Sequence, residues 1–267
     1  MLNKLRFFKQ FKFFSLRVLF SNFFEWFINI LSIKKIKFKD KKILFYSINE
    51  MTISRAILFG KKEKEVYQFI DRYLEKEDVF FDIGANVGVF SIYSSLFKEA
   101  KSVAFEPEYS NLYLLKKNII LNGLKDKIQI YPCSVSNDNN YNFLHLSSFE
   151  SGAALHSISR DDIELTDENA KVKMKIGTYN ISLDDFVKNT GIYPNMLKID
   201  TDGKELEILE GSENVLKNVS YIAFEMPYSI EKRKKCIDIL NKNMFKEIEE
   251  LREGRNIFFK KKNADEK

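Results

Sequence analysis

The sequence predicts an α/β fold: a doubly wound sheet closed by an antiparallel hairpin and preceded by a basic, aromatic leader. Three observations carry this. Short apolar runs at residues 79–83, 102–105, 128–131, 196–199 and 219–224 are separated mostly by stretches with helical spacing, as in βα units around a parallel sheet. Two last apolar runs, at 245–249 and 256–260, follow one another with no helix between them, which makes them a hairpin. The first of the central runs leads straight into a glycine-bearing loop, Asp82-Ile83-Gly84-Ala85-Asn86-Val87-Gly88, and then into helical spacing.

The chain's 267 residues suit one large domain with an appendage, and 45% hydrophobic content with only 10 Gly and 4 Pro excludes collagen-like and disordered chains. Cys133 and Cys236 are too few for a disulfide framework. With His145 and His156 they show no metal-ligand spacing, so no metal set is assigned and a reducing, cytoplasmic setting is expected.

The net charge of +5 is unevenly spread. Residues 1–39 hold nine Lys/Arg against one acid, Glu25, leaving 34 bases against 37 acids in the rest. A mildly acidic body argues against a nucleic-acid-binding surface. The leader, residues 1–40, also carries ten of the 25 Phe and the single Trp, Trp26. Its longest stretch without a base, residues 18–33, has 16 residues and contains Glu25, short of the roughly 20 that span a bilayer. Bases interleaved with Phe suit a helix lying in an anionic membrane interface, at the inner face of the cytoplasmic membrane. Packing of the same Phe side chains on the main domain or on a second subunit is the competing reading.

Beyond the leader, residues 41–260 form the expected catalytic domain and 261–267 a disordered tail. Residues 43–48 read as a strand, and 64–75 as a helix, with Val66, Phe69, Ile70, Tyr73 and Leu74 on one face. The run 79–83, broken only by Asp82, reads as a central parallel strand. Helices are expected at 87–97 and at 111–121, the second capped by Ser110 and ended by Asn122-Gly123. The polar stretch 134–179 breaks the alternation, with strand-like pieces near 141–146 and 172–176. An insertion of that length is commonly functional, and residues 151–154 read as a lid. Alternation resumes with helical turns at 182–188, 204–216 and 229–241.

Ligands of such sheets bind outside the carboxyl ends of the strands, where strand order reverses. The expected cofactor-binding residues there are Asp82, Gly84, Ala85, Asn86 and Gly88. Gly84 and Gly88 let the turn approach a ligand and start a closely packed helix. A dinucleotide fingerprint needs glycine where Asn86 stands, and Asp82 would repel a diphosphate. An NAD(P)-binding oxidoreductase is therefore the disfavoured alternative. An acid-flanked loop suits a cofactor with an ammonium and a sulfonium, S-adenosylmethionine. Glu106, 24 residues beyond Asp82 and at the end of the next strand, can accept both ribose hydroxyls. Adenine is expected beside Cys133-Ser134-Val135, with Ser134 in contact.

These motifs resemble the FkbM-type methyltransferases, a family of S-adenosylmethionine-dependent, mostly O-directed enzymes. The matching stretches are FFDIGANVGVFS (80–91), VAFEPEYSNLYLLKKNIILNG (103–123), ISLDDF (181–186), LKIDTDGKELEILEGSENVL (197–216) and IAFEM (222–226), in the family's order over roughly residues 65–260. The resemblance implies a Rossmann-like sheet of the class I methyltransferase type, with the cofactor over the 82–88 loop and Glu106. It implies an acceptor hydroxyl on a sugar, glycan or lipid-linked metabolite. Where the family usually has Lys-Ile-Asp-Val-Glu-Gly, Asp202 replaces Glu and shortens the reach of that carboxylate.

Asp200 and Asp202, at the end of the fourth strand, are the expected catalytic residues, one of them orienting or deprotonating the acceptor hydroxyl. For Asp202 the competing reading is a capping box with Glu205. Other readings stay open: a magnesium site on Asp200, Asp202 and Glu225, His145 or His156 as the base, Lys198 paired with a carboxylate, Glu225 holding substrate, and a non-catalytic interaction module.

Overall fold

The computed structural model describes residues 2–153, 157–159 and 173–262, and the side chains of residues 16–153 and 173–262. In chain order its elements are α1 (Leu2–Leu31), β1 (Ile33–Phe38), β2 (Lys41–Tyr46), α2 (Glu50–Ile57), α3 (Lys64–Tyr73), β3 (Val79–Ile83), α4 (Val89–Phe97), β4 (Lys101–Phe105), α5 (Tyr109–Leu121) and β5 (Ile128–Tyr131). The insertion carries β6 (Ser134–Val135), β7 (Tyr141–Leu146), β8 (Ser157–Ser159) and β9 (Met174–Ile181). Then follow α6 (Leu183–Thr190), β10 (Met196–Ile199), α7 (Glu205–Glu210), α8 (Glu213–Asn218), β11 (Tyr221–Glu225), α9 (Ile230–Lys242), β12 (Phe245–Glu247) and β13 (Asn256–Lys261).

Seven strands form the main sheet in the order β12-β13-β11-β10-β3-β4-β5. Strands β5, β4, β3, β10 and β11 run parallel, and β13 pairs antiparallel with both β11 and β12. The doubly wound sheet with its closing hairpin is thus present. Strand order reverses between β3 and β10, so the crevice at their carboxyl ends is the topological switch point. Both faces are covered. Phe80, Ile92, Tyr93 and Leu115 lie in the core on one side, and Phe81, Phe105, Phe186 and Leu197 in the core on the other. Consecutive Phe80 and Phe81 alternate across the sheet, each fully buried and worth about 1.5–3 kcal/mol in transfer free energy. The insertion builds its own small sheet, β6-β9-β7-β8, beside the main one.

Several local expectations are corrected. Residues 33–38 of the leader pair with β2, and the hairpin docks on α5 because Asn118 Oδ1 and Asn122 Oδ1 accept from the backbone N–H groups of Tyr46 and Leu44. Helix α2 is too short for an apolar period to show in the sequence; an Asn49–Thr52 capping box starts it. Glu108, not Ser110, caps α5, its carboxylate accepting from Asn111 N at 2.6 Å. The helix expected over 204–216 is two, α7 and α8, broken at Gly211, where any Cβ would collide with the Ser136 carbonyl. Of the tail expected over 261–267, Lys261 is the last residue of β13, and 263–267 lie outside the described residues.

Candidate active site at the switch point

A cleft enclosing about 1100 Å³, open solvent at its mouth included, lies at the carboxyl ends of β3, β4 and β10. Gly84 makes its floor possible. Its φ of 81° is left-handed, and a Cβ there would collide with the backbone oxygen of Asp200. The N–H groups of Gly84 and Ala85 both donate to the Phe105 carbonyl, and Asp200 N donates to Ile83 O at 3.2 Å. Three strand ends are thereby stitched into one rigid rim. At Gly88 (φ 84°) a Cβ would strike the Leu115 side chain, so this glycine lets α4 start close against α5.

Glu106 sits just past β4, and backbone donors fix both of its oxygens. Asn86 N donates to Oε2 at 2.7 Å and Glu108 N to Oε1 at 2.9 Å. A carboxylate has about four acceptor positions, so capacity remains for the two hydroxyls of a diol. Burial pushes the Glu106 carboxyl up to about 7, against these hydrogen bonds and one from the Asn111 side chain. Ser134, at 4% exposure, lines the cleft beside Cys133 and Val135.

At the opposite end, Lys198, Asp200, Thr201 and Asp202 line the wall. Lys198 is buried between two carboxylates, with Nζ 3.1 Å from Asp200 Oδ2 and 3.7 Å from Asp82 Oδ1. Burial alone would depress its charge, but Asp200, Asp82 and Glu63 outweigh burial and hold it protonated. Burial likewise opposes ionisation of Asp200, and the Lys198 charge and hydrogen bond reverse that, keeping its carboxyl below the usual range. Glu225 goes the other way. Burial and the neighbouring Asp200 push it up to about 8, even though Arg255 donates to Oε1 at 2.6 Å. Asp200, Asp202 and Glu225 each bring a carboxylate oxygen within 4.8 Å of the others, the one such grouping among the described residues.

The capping box read for Asp202 would put it at the cap of the helix, but Lys204 holds the cap position of α7. Asp202 takes a left-handed φ of 56°, and Glu205 reaches back to accept from Thr201 N at 3.3 Å and Gly203 N at 2.9 Å. Glu205 shapes the loop, while Asp202 lines the cleft.

Of the residues expected to bind cofactor, Gly84, Ala85, Asn86, Glu106 and Ser134 line this cleft, as do Asp200 and Asp202. Asp82 and Gly88 are not among its lining residues. The sequence has Asp82 facing the loop and attracting a cation; the cation it faces is Lys198, and its Oδ2 accepts from Ser91 N and Oγ at 3.0 and 2.6 Å. His145 is buried in β7 and does not line the cleft, and His156 lies outside the described residues.

Sequence reasoning missed the near wall. Arg55 on α2 lines the cleft, and its Nε donates to Gly152 O at 2.9 Å. Burial lowers the Arg55 pKa, against the pull of Glu63 and Asp200. Of the expected lid, Ala153 lines the cleft, Ser151 and Gly152 are hydrogen-bonded beside it, and residue 154 lies outside the described residues. Asn49 Nδ2 donates to Ser151 O, Asn86 Nδ2 to Ala153 O, and Gly152 N donates to Asn111 Oδ1. These are contacts between distant segments, with no local pattern to announce them.

S-adenosylmethionine fits this donor set. Glu106 presents two acceptor oxygens for a diol. Asn86 Oδ1 is a buried acceptor with no partner among the described residues, suited to an ammonium. Asp200 and Asp202 supply negative charge for a sulfonium.

Comparison with known proteins gives the same answer. The family model described as methyltransferase FkbM domain matches residues 82–257. The hexuronic acid methyltransferase AglP of Haloferax volcanii is 24% identical over 181 residues, 63% of this chain and 64% of that protein. Methyltransferase sdnD of Sordaria araneosa is 25% identical over 153 residues, 49% of this chain and 58% of that protein. The chain spans less than two thirds of the length of either relative. A solved structure of a putative rRNA-methylase from Clostridium thermocellum aligns with a TM-score of 0.46 at 8% identity, over 74% of this chain and 94% of that one, too loose a likeness to bear on function. The chain belongs to the FkbM methyltransferase domain family, whose cofactor is S-adenosylmethionine.

Proposed function

We propose that this protein transfers a methyl group from S-adenosylmethionine to a hydroxyl of a sugar, glycan or lipid-linked metabolite. The observation that carries the reading is the Glu106 carboxylate, fixed by two backbone donors at one end of a cleft whose other end holds ionised Asp200. A sugar acceptor is supported by the relative named for hexuronic acid methylation.

Bound S-adenosylmethionine supplies a methyl already activated by a sulfonium sulfur. The protein has to align an acceptor, exclude water and receive one proton. Asp200 accepts the hydrogen bond of the acceptor hydroxyl. It takes the proton as that oxygen bonds to carbon, with Asp202 alongside it. A carboxylate held below its usual pKa is a weak base, and here that is enough, because an oxygen gaining a methyl becomes strongly acidic. Lys198 keeps Asp200 ionised and aimed. Arg55, Asn86 and Asn111 hold residues 151–153 at the cleft and keep water out.

The test is incubation of the full chain with methyl-labelled cofactor and panels of uronate-bearing and neutral glycans, followed by location of the label. Label in an alkali-stable ether on a sugar oxygen supports the reading. Label in an ester moves the acceptor to a carboxylate. Binding of S-adenosylhomocysteine without any transfer favours the interaction module, and binding of NAD in its place overturns the cofactor.

A further inference from the structure

The apolar face of α1 has no partner among the described residues. At 100° per residue, nine residues between Leu16 and Leu31, among them Phe20, Phe23, Trp26 and Phe27, fall within one arc of about 160°. All nine are large and apolar, and their exposures run from 45% to 64%. Phe23 packs against both Trp26 and Phe27, at 5.9 and 6.4 Å between ring centroids, so the patch is continuous. The opposite arc carries Arg17, Ser21, Asn22, Glu25 and Asn29, with Val18 and Ile28 the two apolar residues among them. Among the described residues the helix touches the domain only near its carboxyl end, from this side: Asn29 Oδ1 accepts from Tyr46 Oη at 2.7 Å, and just past the helix Ser47 N donates to Ser32 O at 2.7 Å, while Arg17, Ser21, Asn22 and Glu25 are exposed. An isolated soluble domain turns its helices the other way.

We propose that this face of α1 lies in the surface of an anionic lipid bilayer, with the helix axis in the membrane plane. Charge selects the occupant. Four Lys/Arg precede the apolar arc, Arg17 flanks its start and four Lys follow it, against Glu25 alone, and Glu25 is on the polar side. Lys35 and Lys37 are exposed on β1, immediately beyond the helix. A second copy of the chain would bring the same positive charge to the patch and repel it, whereas anionic headgroups complement it. Length selects the orientation. The stretch of α1 without a base, residues 18–31, reaches about 21 Å, short of the ~30 Å hydrocarbon core, and a polar arc is unfit to face acyl chains. No helix among the described residues is long and apolar enough to cross a membrane. The inference goes beyond the methyl-transfer reading and does not depend on it.

Trp26 is the only tryptophan and lies at the edge of the apolar arc, so its emission reports this helix alone. The full chain is titrated with vesicles of phosphatidylcholine containing phosphatidylglycerol, and with phosphatidylcholine alone. The expected result is a blue shift of Trp26 emission on the anionic vesicles, quenching by brominated acyl chains and sedimentation with the lipid. Partitioning falls about tenfold or more in high salt. Phe23→Asp lowers partitioning by at least about tenfold and leaves S-adenosylhomocysteine binding unchanged, because Phe23 is exposed and is not part of the cleft wall. An unshifted emission with the chain left in the supernatant overturns the proposal, as does equal partitioning of Phe23→Asp and wild type. A lipid-free dimer with Trp26 already blue-shifted, broken by Phe23→Asp, overturns it too and assigns the face to a second copy.

Discussion

Glu106→Gln tests the cofactor reading at its centre. In the wild type each carboxylate oxygen accepts one backbone N–H, from Asn86 and from Glu108, and on the proposed reading the carboxylate would offer its remaining acceptor capacity to the two ribose hydroxyls. In the amide one oxygen becomes an NH₂. Whichever way it turns, one backbone donor faces another donor and one ribose hydroxyl loses its acceptor. The other hydroxyl keeps a neutral partner in place of a charged one. Hydrogen bonds to charged groups are worth about 1.5–3 kcal/mol, so the cofactor side loses about 2–4 kcal/mol, or roughly 30- to 1000-fold in affinity. The pH dependence is a second readout. Burial raises Glu106 to about 7 in the free protein, and the diol binds the ionised form. Affinity of the wild type for S-adenosylhomocysteine therefore rises as pH climbs toward 7 and levels off above it. Binding below that pH releases a proton. Calorimetric titration across this range, in two buffers of different ionisation enthalpy, measures both effects. Glu106→Gln should bind weakly, with no proton release from this site. If it binds within about threefold of wild type, on the order of 0.6 kcal/mol, and keeps the wild-type pH profile, Glu106 does not hold the ribose and the placement of the cofactor is wrong.

Asp200→Asn should lower turnover by about 10²- to 10⁴-fold while S-adenosylhomocysteine affinity changes only a few-fold, since the amide can orient a hydroxyl but not take its proton; unchanged turnover in a single-turnover assay removes Asp200 from the chemistry. Lys198→Met leaves the buried Asp82 and the partly exposed Asp200 without their cation, and should cost about 1–3 kcal/mol in denaturant unfolding. Adding Asp82→Asn should restore part of that loss, and its failure to do so would show that Asp82 does not share the charge of Lys198. Chelation with EDTA should leave turnover unchanged, because Lys198 already neutralises Asp200 and Glu225, pushed up to about 8, is largely protonated at neutral pH; activity lost to EDTA and restored by magnesium would assign the three clustered carboxylates to an ion.

Much of the sheet was legible because its signals are local. Phe80-Phe81 and Leu197-Lys198-Ile199 are runs that only a strand buried on both faces tolerates, and Gly84 and Glu106 are tied to strand ends by spacing alone. What stayed hidden depends on segments far apart in the chain. Helix α2 brings Arg55 to the cleft, and Asn49, Asn86 and Asn111 gather residues 151–153 from three separate elements. Near the break between α7 and α8, the need for glycine at 211 is likewise a tertiary effect, since the Ser136 backbone lies where a side chain of residue 211 would be.

Asp82 shows why motif position and chemical role can part. It belongs to the loop signature, where its acidity reads as complementary to a cationic cofactor. In the sheet, β3 and β10 pair with Asp82 directly opposite Lys198, and both side chains are buried beneath the cleft. One ammonium there serves two carboxylates: Asp82, which also accepts from Ser91 on α4, and Asp200, which reaches the cleft wall. The loop acid therefore acts at one remove. It fixes Lys198, Lys198 keeps Asp200 ionised, and on the proposed mechanism Asp200 would meet the acceptor. The electrostatic fit expected of the loop is carried by this chain of three residues and not by the loop acid alone. Asp82→Asn should consequently disturb Asp200 more than it disturbs the cofactor: turnover should fall and shift its pH profile, while S-adenosylhomocysteine binding holds. Loss of binding with the turnover of bound complex intact would reverse that assignment and return Asp82 to the cofactor.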